Sequence, residues 1–96
     1  MAAYVIFVRD EPVHDPVEME AYIKTATSNP QSFKSTPLSM YKPVETLEGK
    51  PADGIVLVQF PSLEEAKAWY HSPGYQAATV HRKKAANYRV MLVEGI

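Results

Sequence analysis

Three short segments of this chain are predicted β-strands with apolar side chains on both faces. An antiparallel sheet with one face in water would instead alternate apolar and polar residues. All three segments are rich in the β-branched and aromatic residues that favour strands, and they read AYVIFVR (3–9), IVLVQF (55–60) and YRVMLVE (88–94). A bare second face would expose an unusually large apolar patch. We therefore predict that helices cover one face of the sheet and a second copy of the chain covers the other.

The segment that follows the first strand has the signals of a helix start. Asp15 suits the N-cap position, Pro16 suits the first helical position, and Glu18 can complete a capping box. Apolar residues follow at helical spacing and form one stripe: Met19, Tyr22, Ile23 and Ala26. These signals predict a helix of about three turns.

A second helical region lies in the stretch FPSLEEAKAWYHSPGYQ, residues 60–76. Ser62 and Glu65 form the S-x-x-E pattern of a capping box. Ser72 then provides another N-cap, and Pro73 suits the first position of a new helix. We therefore predict two successive helices separated at the Ser-Pro step, the second running from about residue 73 to residue 86.

The remaining segments complete the order of elements. Residues 28–37 have the composition of a loop, a strand is predicted near 38–46, and GKPADG at 49–54 is a predicted turn. The order is strand, helix, strand, strand, helix pair, strand. It predicts one domain over residues 1–96 with an α+β, ferredoxin-like βαββαβ sandwich fold whose second helix is split.

Composition excludes several classes of function. The chain has 96 residues, a formal net charge of −1 and no cysteine, so disulfides and thiolate chemistry are excluded. A general nucleic-acid binder would need a basic surface. The apolar run at 2–8 is too short to span a bilayer and lacks a basic start. We expect a cytoplasmic protein with no nucleic-acid or membrane partner.

The stretch FPSLEEAKAWYHSPGYQAA, the later Arg82 and the ending LVEGI resemble the family called domain of unknown function 1330. The segment VETLEG at 44–49 and the early helix at 15–22 also resemble the family pattern, so the resemblance covers nearly the whole chain. It implies a dimeric α+β barrel, in which two ferredoxin-like domains pack sheet to sheet. The wider superfamily includes cofactor-free monooxygenases, lactone isomerases, haem-degrading enzymes and members with no known activity, so the fold does not fix the function.

One stretch departs from the family pattern. The family often carries an arginine and a Gly-Gly pair in its second strand, whereas this chain reads Met40-Tyr41-Lys42-Pro43. If the glycines allow a ligand to approach the backbone, this chain has lost that feature or has filled the space with Tyr41. Tyr41 is therefore included among the candidate ligand-binding residues.

The main candidate site combines Tyr70, Tyr75 and Arg82, which could converge beneath the helix pair. Tyrosine donates hydrogen bonds, and arginine can hold a carboxylate or enolate at two points. The alternative is structural: the two rings are buried, and Arg82 satisfies their hydroxyls or a helix C-terminus. The run HRKK at 81–84 is also expected to lie on the solvated helix surface. Trp69 would either line the pocket or pack in the core or dimer contact.

The histidines have no metal-site spacing, so no metal or cofactor is predicted. His81 is the best acid–base candidate, because histidine changes charge near neutral pH. Three hypotheses remain open. The protein could bind a small organic ligand without turnover, or be a cofactor-free enzyme acting on a small organic acid, phenol or lactone. The third hypothesis, haem handling, rests on superfamily analogy and His81 alone.

Overall fold

Four strands and three helices follow the order that the sequence predicts. The computed structural model describes residues 1–28 and 33–96. Its elements are β1 (Ala3–Arg9), α1 (Pro16–Ser28), β2 (Thr36–Met40), β3 (Gly54–Phe60), α2 (Leu63–Tyr70), α3 (Pro73–Ala85) and β4 (Tyr88–Glu94). This is the predicted ferredoxin-like α+β arrangement with a split second helix.

The strands form one antiparallel sheet in the order β2-β3-β1-β4. Val5 in the central strand β1 is paired with Val58 in β3 and Leu92 in β4, and Phe7 is paired with Val56 and Val90. Side chains alternate between the two faces of a strand, so this register places one apolar set of all three strands on the same face. That face packs against the helices.

The two helices after β3 begin at the serines that the sequence indicates. Ser62 Oγ accepts a hydrogen bond from the backbone N–H of Glu65 at 3.2 Å. Ser72 Oγ accepts one from Tyr75 N–H at 3.4 Å and donates one to the carbonyl of Trp69 at 2.6 Å. Ser72 therefore ends one helix and begins the next, with Pro73 at the first position of α3.

The start of α1 differs in part from the expectation. Asp15 Oδ1 accepts from Glu18 N–H at 3.2 Å, as an N-cap should. However, Asp15 N–H donates to the carbonyl of Ala85 at 3.3 Å rather than to Glu18. The Ala85 carbonyl at the end of α3 therefore accepts the hydrogen bond that the Glu18 side chain would accept in a complete capping box. The apolar stripe is also narrower than predicted, because Ile23 is 53% exposed.

Strand β2 is shorter than the prediction of 38–46 and begins earlier. It spans Thr36–Met40 and shifts register against β3 between Pro37 and Ser39. Tyr41 follows with a φ of +54°, a left-handed conformation that ends the extended strand. The turn at 49–54 is present, and Gly49 has a φ of +87° there. Within the predicted loop at 28–37, residues 29–32 lie outside the described part of the chain.

The core lies between the sheet and the helices. Phe60 is 1% exposed and packs against Trp69, with ring centroids 5.2 Å apart. The Trp69 ring also lies 4.1 Å from that of Tyr75 and 6.3 Å from that of Phe7, centroid to centroid. Trp69 is therefore a packing residue that joins α2, α3 and the sheet, which decides between its two predicted roles.

The opposite face of the sheet carries apolar side chains that the helices do not cover. Met91 and Val93 in β4 are 43% and 49% exposed. They share this face with partly exposed residues of the two central strands: Tyr4, Ile6, Ile55 and Leu57. Both faces of the sheet therefore carry apolar side chains, as the strand sequences predict. Among the described residues no helix is long and apolar enough to cross a membrane.

Candidate functional site

Arg82 is a buried cation in the middle of the molecule. Tyr75, Thr79 and Arg82 follow one another at helical spacing on the buried side of α3, and Arg82 is only 3% exposed. Its guanidinium carbon lies 5.3 Å from the centre of the Tyr88 ring and 5.8 Å from that of Phe7. The expectation that all of HRKK lies on the solvated surface is therefore wrong for Arg82, because the helix turns this side chain toward the sheet. Lys83 and Lys84 are exposed as expected.

Among the residues that the structure describes, no carboxylate neutralises this guanidinium. The ion pairs among residues 1–28 and 33–96 are Arg9–Asp53, His81–Glu18 and Arg89–Asp10. Arg82 Nε is buried and has no hydrogen-bond partner. The faces of two aromatic rings stabilise a cation, but a buried charge ordinarily requires an ionic or hydrogen-bonding partner as well. Arg82 is thus a buried cation whose side chain hydrogen-bonds Tyr75 but has no ionic partner among the described residues.

A cleft opens beside Arg82 between the end of α3 and strand β4. Its volume is about 330 Å³, and its lining includes Tyr70, Arg82, Lys83, Asn87, Tyr88 and Val90. The Tyr75 ring lies beside that of Tyr70, with centroids 5.7 Å apart. The structure therefore brings the three predicted residues Tyr70, Tyr75 and Arg82 together, although Tyr75 lies behind Tyr70 rather than on the wall of the cleft. We call this cavity the Arg82 cleft.

A pair of tyrosine hydroxyls lies next to Arg82. Tyr22 Oη and Tyr75 Oη are 2.9 Å apart. Burial raises the pKa of both hydroxyls. At Tyr75 the hydrogen bond with Tyr22 opposes this rise in part, as do the charge and the hydrogen bond of Arg82, and at Tyr22 the charge of Arg82 does so. Both hydroxyls therefore stay protonated. One O–H donates to the other hydroxyl, so one O–H of the pair remains free to donate elsewhere. The sequence interpretation placed Tyr22 only in the apolar stripe of α1; its hydroxyl was the available signal, because a buried tyrosine hydroxyl needs a partner.

Tyr41 approaches the site through Tyr88. Its hydroxyl lies 2.6 Å from Tyr88 Oη, and the Tyr88 ring in turn faces Arg82. The guanidinium of Arg9 lies 4.7 Å from the centre of the Tyr41 ring, and burial raises the pKa of Tyr41. Tyr41 does not line the Arg82 cleft. It lines a separate apolar cavity of about 270 Å³ between α1 and the sheet, with Phe7, Tyr22, Met40 and Val56.

None of the three histidines lines the Arg82 cleft. His81 Nδ1 is 2.6 Å from Glu18 Oε2, a contact that joins α3 to α1. His14 and His71 are exposed, although the His71 ring packs edge-on against Tyr70. No group of histidine, aspartate or glutamate side chains in the described ranges could hold a metal ion.

Sequence comparison agrees with the resemblance carried by FPSLEEAKAWYHSPGYQ. A family model described as "Domain of unknown function (DUF1330)" matches residues 2–96. The chain belongs to this family. The match of the DUF1330 model covers almost the whole chain, from β1 to the residues after β4. No curated protein gives a significant sequence match.

Several solved structures resemble this DUF1330 chain. The RPA0582 protein of unknown function from Rhodopseudomonas palustris is 15% identical, with a TM-score of 0.69 over 99% of this chain and 82% of that one. A dimeric protein of unknown function with a ferredoxin-like fold from Bacteroides fragilis is 13% identical (TM-score 0.59; 98% and 96% covered). SnoaB, a cofactor-independent oxygenase from Streptomyces nogalater, is 11% identical (TM-score 0.56; 99% and 92% covered). At these identities the likeness shows the fold alone.

Proposed function

We propose that this DUF1330 protein binds a small organic anion, such as a carboxylate or an enolate, against Arg82. The observation that carries the proposal is a guanidinium that is buried, lacks an anionic partner and borders an open cleft. Charge-assisted hydrogen bonds from arginine to a carboxylate are short and strong. An anion in the cleft would supply the ionic partner that the guanidinium lacks among the described residues.

Structural packing alone accounts less well for Arg82. In that interpretation the guanidinium packs between Phe7 and Tyr88 and hydrogen-bonds the Tyr75 hydroxyl. It still leaves Arg82 Nε without an acceptor. An unsatisfied buried donor costs about 1–3 kcal/mol, and an apolar side chain of similar size would avoid that cost. The open cleft beside Arg82 also has no role in such an arrangement.

A second candidate is a cofactor-free enzyme that acts on a small organic acid, phenol or lactone. The protonated hydroxyls of Tyr22 and Tyr75 near Arg82 favour it. Together with the guanidinium, such donors can stabilise negative charge that develops on an oxygen during a reaction. The fold shared with SnoaB is compatible with this candidate. Turnover on a panel of these substrates, lost in Arg82→Gln, would establish it.

Benzoate is a suitable first probe, with neutral benzamide as its uncharged counterpart. Calorimetry should detect saturable binding of benzoate to the wild-type protein and no binding of benzamide. Arg82→Gln should weaken benzoate binding by at least about tenfold, since it removes a charge-assisted contact. Lys84→Gln is the matched control, because it removes an exposed cation two residues away and should leave affinity unchanged.

Two results would contradict the proposal. One is benzoate binding of equal strength to the wild-type protein and to a folded Arg82→Gln variant. The other is the failure of all small carboxylates to bind the wild-type protein. Circular dichroism of each variant separates lost binding from lost folding.

We also infer that the uncovered face of the sheet packs on a second copy of the chain. The support is the exposed apolar set that includes Met91 and Val93 and the dimeric Bacteroides fragilis protein with the same fold. A monomer of this size rarely leaves so large an apolar patch in water. A homodimer would bury both patches at once and would leave the Arg82 cleft on the opposite, helical side.

A further inference from the structure

The Arg82 cleft adjoins a second cavity between α2 and β4, which we call the α2–β4 groove. The groove has a volume of about 280 Å³. Tyr70 and Val90 line both the groove and the Arg82 cleft. The two cavities therefore lie next to each other, on either side of these two side chains.

The groove and the cleft differ in chemistry. The groove is lined mainly by apolar side chains: Val5, Ala66, Val90 and Leu92. Lys67 and His71 are its ionisable groups, and both belong to exposed residues at the end of α2. No carboxylate among the described residues lines either cavity. The cleft thus offers a buried cation, and the adjoining groove offers a space lined mainly by hydrocarbon.

We infer that the anion held by Arg82 is an amphipathic carboxylate whose hydrocarbon body lies in the α2–β4 groove. The inference rests on the proposed function, since the carboxylate end is the group placed on Arg82. The hydrocarbon body is inferred from the lining of the groove, because apolar side chains favour an apolar occupant over water.

A series of carboxylates tests this ligand class. Acetate, butanoate, hexanoate and octanoate share the charged end and differ only in the length of the body. Affinity for the wild-type protein should rise by about fourfold for each methylene that enters the groove, and the rise should stop once the groove is filled. Octan-1-ol, which lacks the charge, should bind more weakly than octanoate by at least about tenfold.

Two variants test separately how the charged end and the hydrocarbon body of the ligand are bound. Arg82→Gln should weaken every member of the series. Leu92→Phe, which adds volume to a half-buried side chain of the groove, should remove the dependence on length while acetate binding stays as in the wild type. If Leu92→Phe does not fold, methyl NMR of the wild-type protein provides the same information. Octanoate, but not acetate, should then shift the Val5 and Leu92 methyl signals.

The outcomes distinguish the inference from the proposed function. Carboxylates that bind with equal affinity at all lengths would overturn the inference and leave the anion site intact. Octanoate that shifts methyl signals only in the cavity between α1 and the sheet would also overturn it. Failure of the whole series to bind, or equal binding of octanoate and octan-1-ol, would overturn the anion site and with it the inference.

Discussion

The hydroxyl oxygens of Tyr22 and Tyr75 lie 2.9 Å apart and join the middle of α1 to the first turn of α3. Tyr75 is 4% exposed, so water cannot readily replace a lost partner. Tyr22→Phe should therefore lower the free energy of unfolding by about 1–3 kcal/mol, because it leaves the Tyr75 hydroxyl without this partner. Urea unfolding of the variant measures the loss.

The double variant Tyr22→Phe/Tyr75→Phe is the control for this pair. It removes both hydroxyls, so no buried donor is left behind. Its loss in unfolding free energy should be smaller than the sum of the two single losses. Additive losses, within about 0.5 kcal/mol, would show that the two hydroxyls do not depend on each other.

Alkaline pH should destabilise the protein. Burial raises the pKa of Tyr22, Tyr41 and Tyr75 above the ordinary value of 10.0 in the folded state. The unfolded chain loses these protons near pH 10, whereas the folded chain keeps them, so the unfolded state binds fewer protons above that pH. The stabilisation is complete below about pH 10 and declines above it, by up to about 1.4 kcal/mol per pH unit for each of Tyr22 and Tyr75. Tyr41 is 40% exposed, so solvent screening makes its contribution smaller.

Urea unfolding between about pH 8 and pH 11 measures this dependence. Tyr22→Phe should reduce the steepness of the decline, since one shifted group is gone. The phenolate absorbance of the buried tyrosines should appear together with the loss of circular dichroism. A folded protein with fully ionised tyrosines at pH 11 would contradict the prediction.

Gly54 is required because the Tyr41 ring lies against it. A Cβ atom on Gly54 would come within 2.8 Å of Tyr41 Cδ1, too close without a shift of the ring. Gly54→Ala should lower the unfolding free energy by about 1–3 kcal/mol, because the ring must leave its position and its hydroxyl contact with Tyr88. Thermal unfolding with van't Hoff analysis gives the value.

Tyr41→Gly provides the matched background for this substitution. It removes the ring and relieves the left-handed backbone at φ +54°. Gly54→Ala in that background should cost less than about 0.5 kcal/mol, as is usual away from a specific clash. An equal cost in both backgrounds would mean that the ring is not the reason for glycine at this position.

Charge on the uncovered sheet face should produce monomers. Met91→Glu places a carboxylate on the inferred dimer contact, where its desolvation is unfavourable. Sedimentation equilibrium at micromolar concentration should give twice the mass of one chain for the wild type and a single-chain mass for the variant. Val80→Glu, on an exposed residue of α3, is the control and should stay dimeric. A wild-type protein that sediments as a monomer would refute the inferred pairing.

His81 provides a separate test of the acid–base prediction. His81→Gln removes the contact of 2.6 Å with Glu18. Because both side chains are partly exposed, the unfolding free energy should fall by less than about 1 kcal/mol. Benzoate affinity, measured by calorimetry, should stay within about twofold of the wild-type value, because the contact lies outside the Arg82 cleft. A large loss of benzoate affinity in this variant would show that His81 belongs to the binding site.

Much of the fold was predictable because its signals are local. Ser62, Ser72 and Pro73 determine where α2 and α3 begin through bonds to residues within one helical turn. The apolar residues of the three long strands likewise predict the sheet and the apolar side chains on both of its faces. The arrangement of elements could be inferred from these local patterns, and the DUF1330 family match agrees with it.

The candidate site depended on distant contacts. The sequence could place Tyr75 and Arg82 on one side of a helix. It could not show that Arg82 has no carboxylate partner among the described residues, because that depends on every element around Arg82. The end of β2 at Tyr41 also depends on Tyr88, 47 residues away. Tyr22 acquires its role only because α1 packs beside α3.

The sequence by itself determined the helix starts, the strand pattern and the family, because capping and periodicity act between residues that are neighbours along the chain. The tertiary structure alone decided which polar groups are left without partners inside the protein. A hydrogen bond or an ion pair forms only where folding brings two distant groups within about 3 Å. For that reason the unpartnered Nε of Arg82, and the cleft beside it, could not be read from the order of residues.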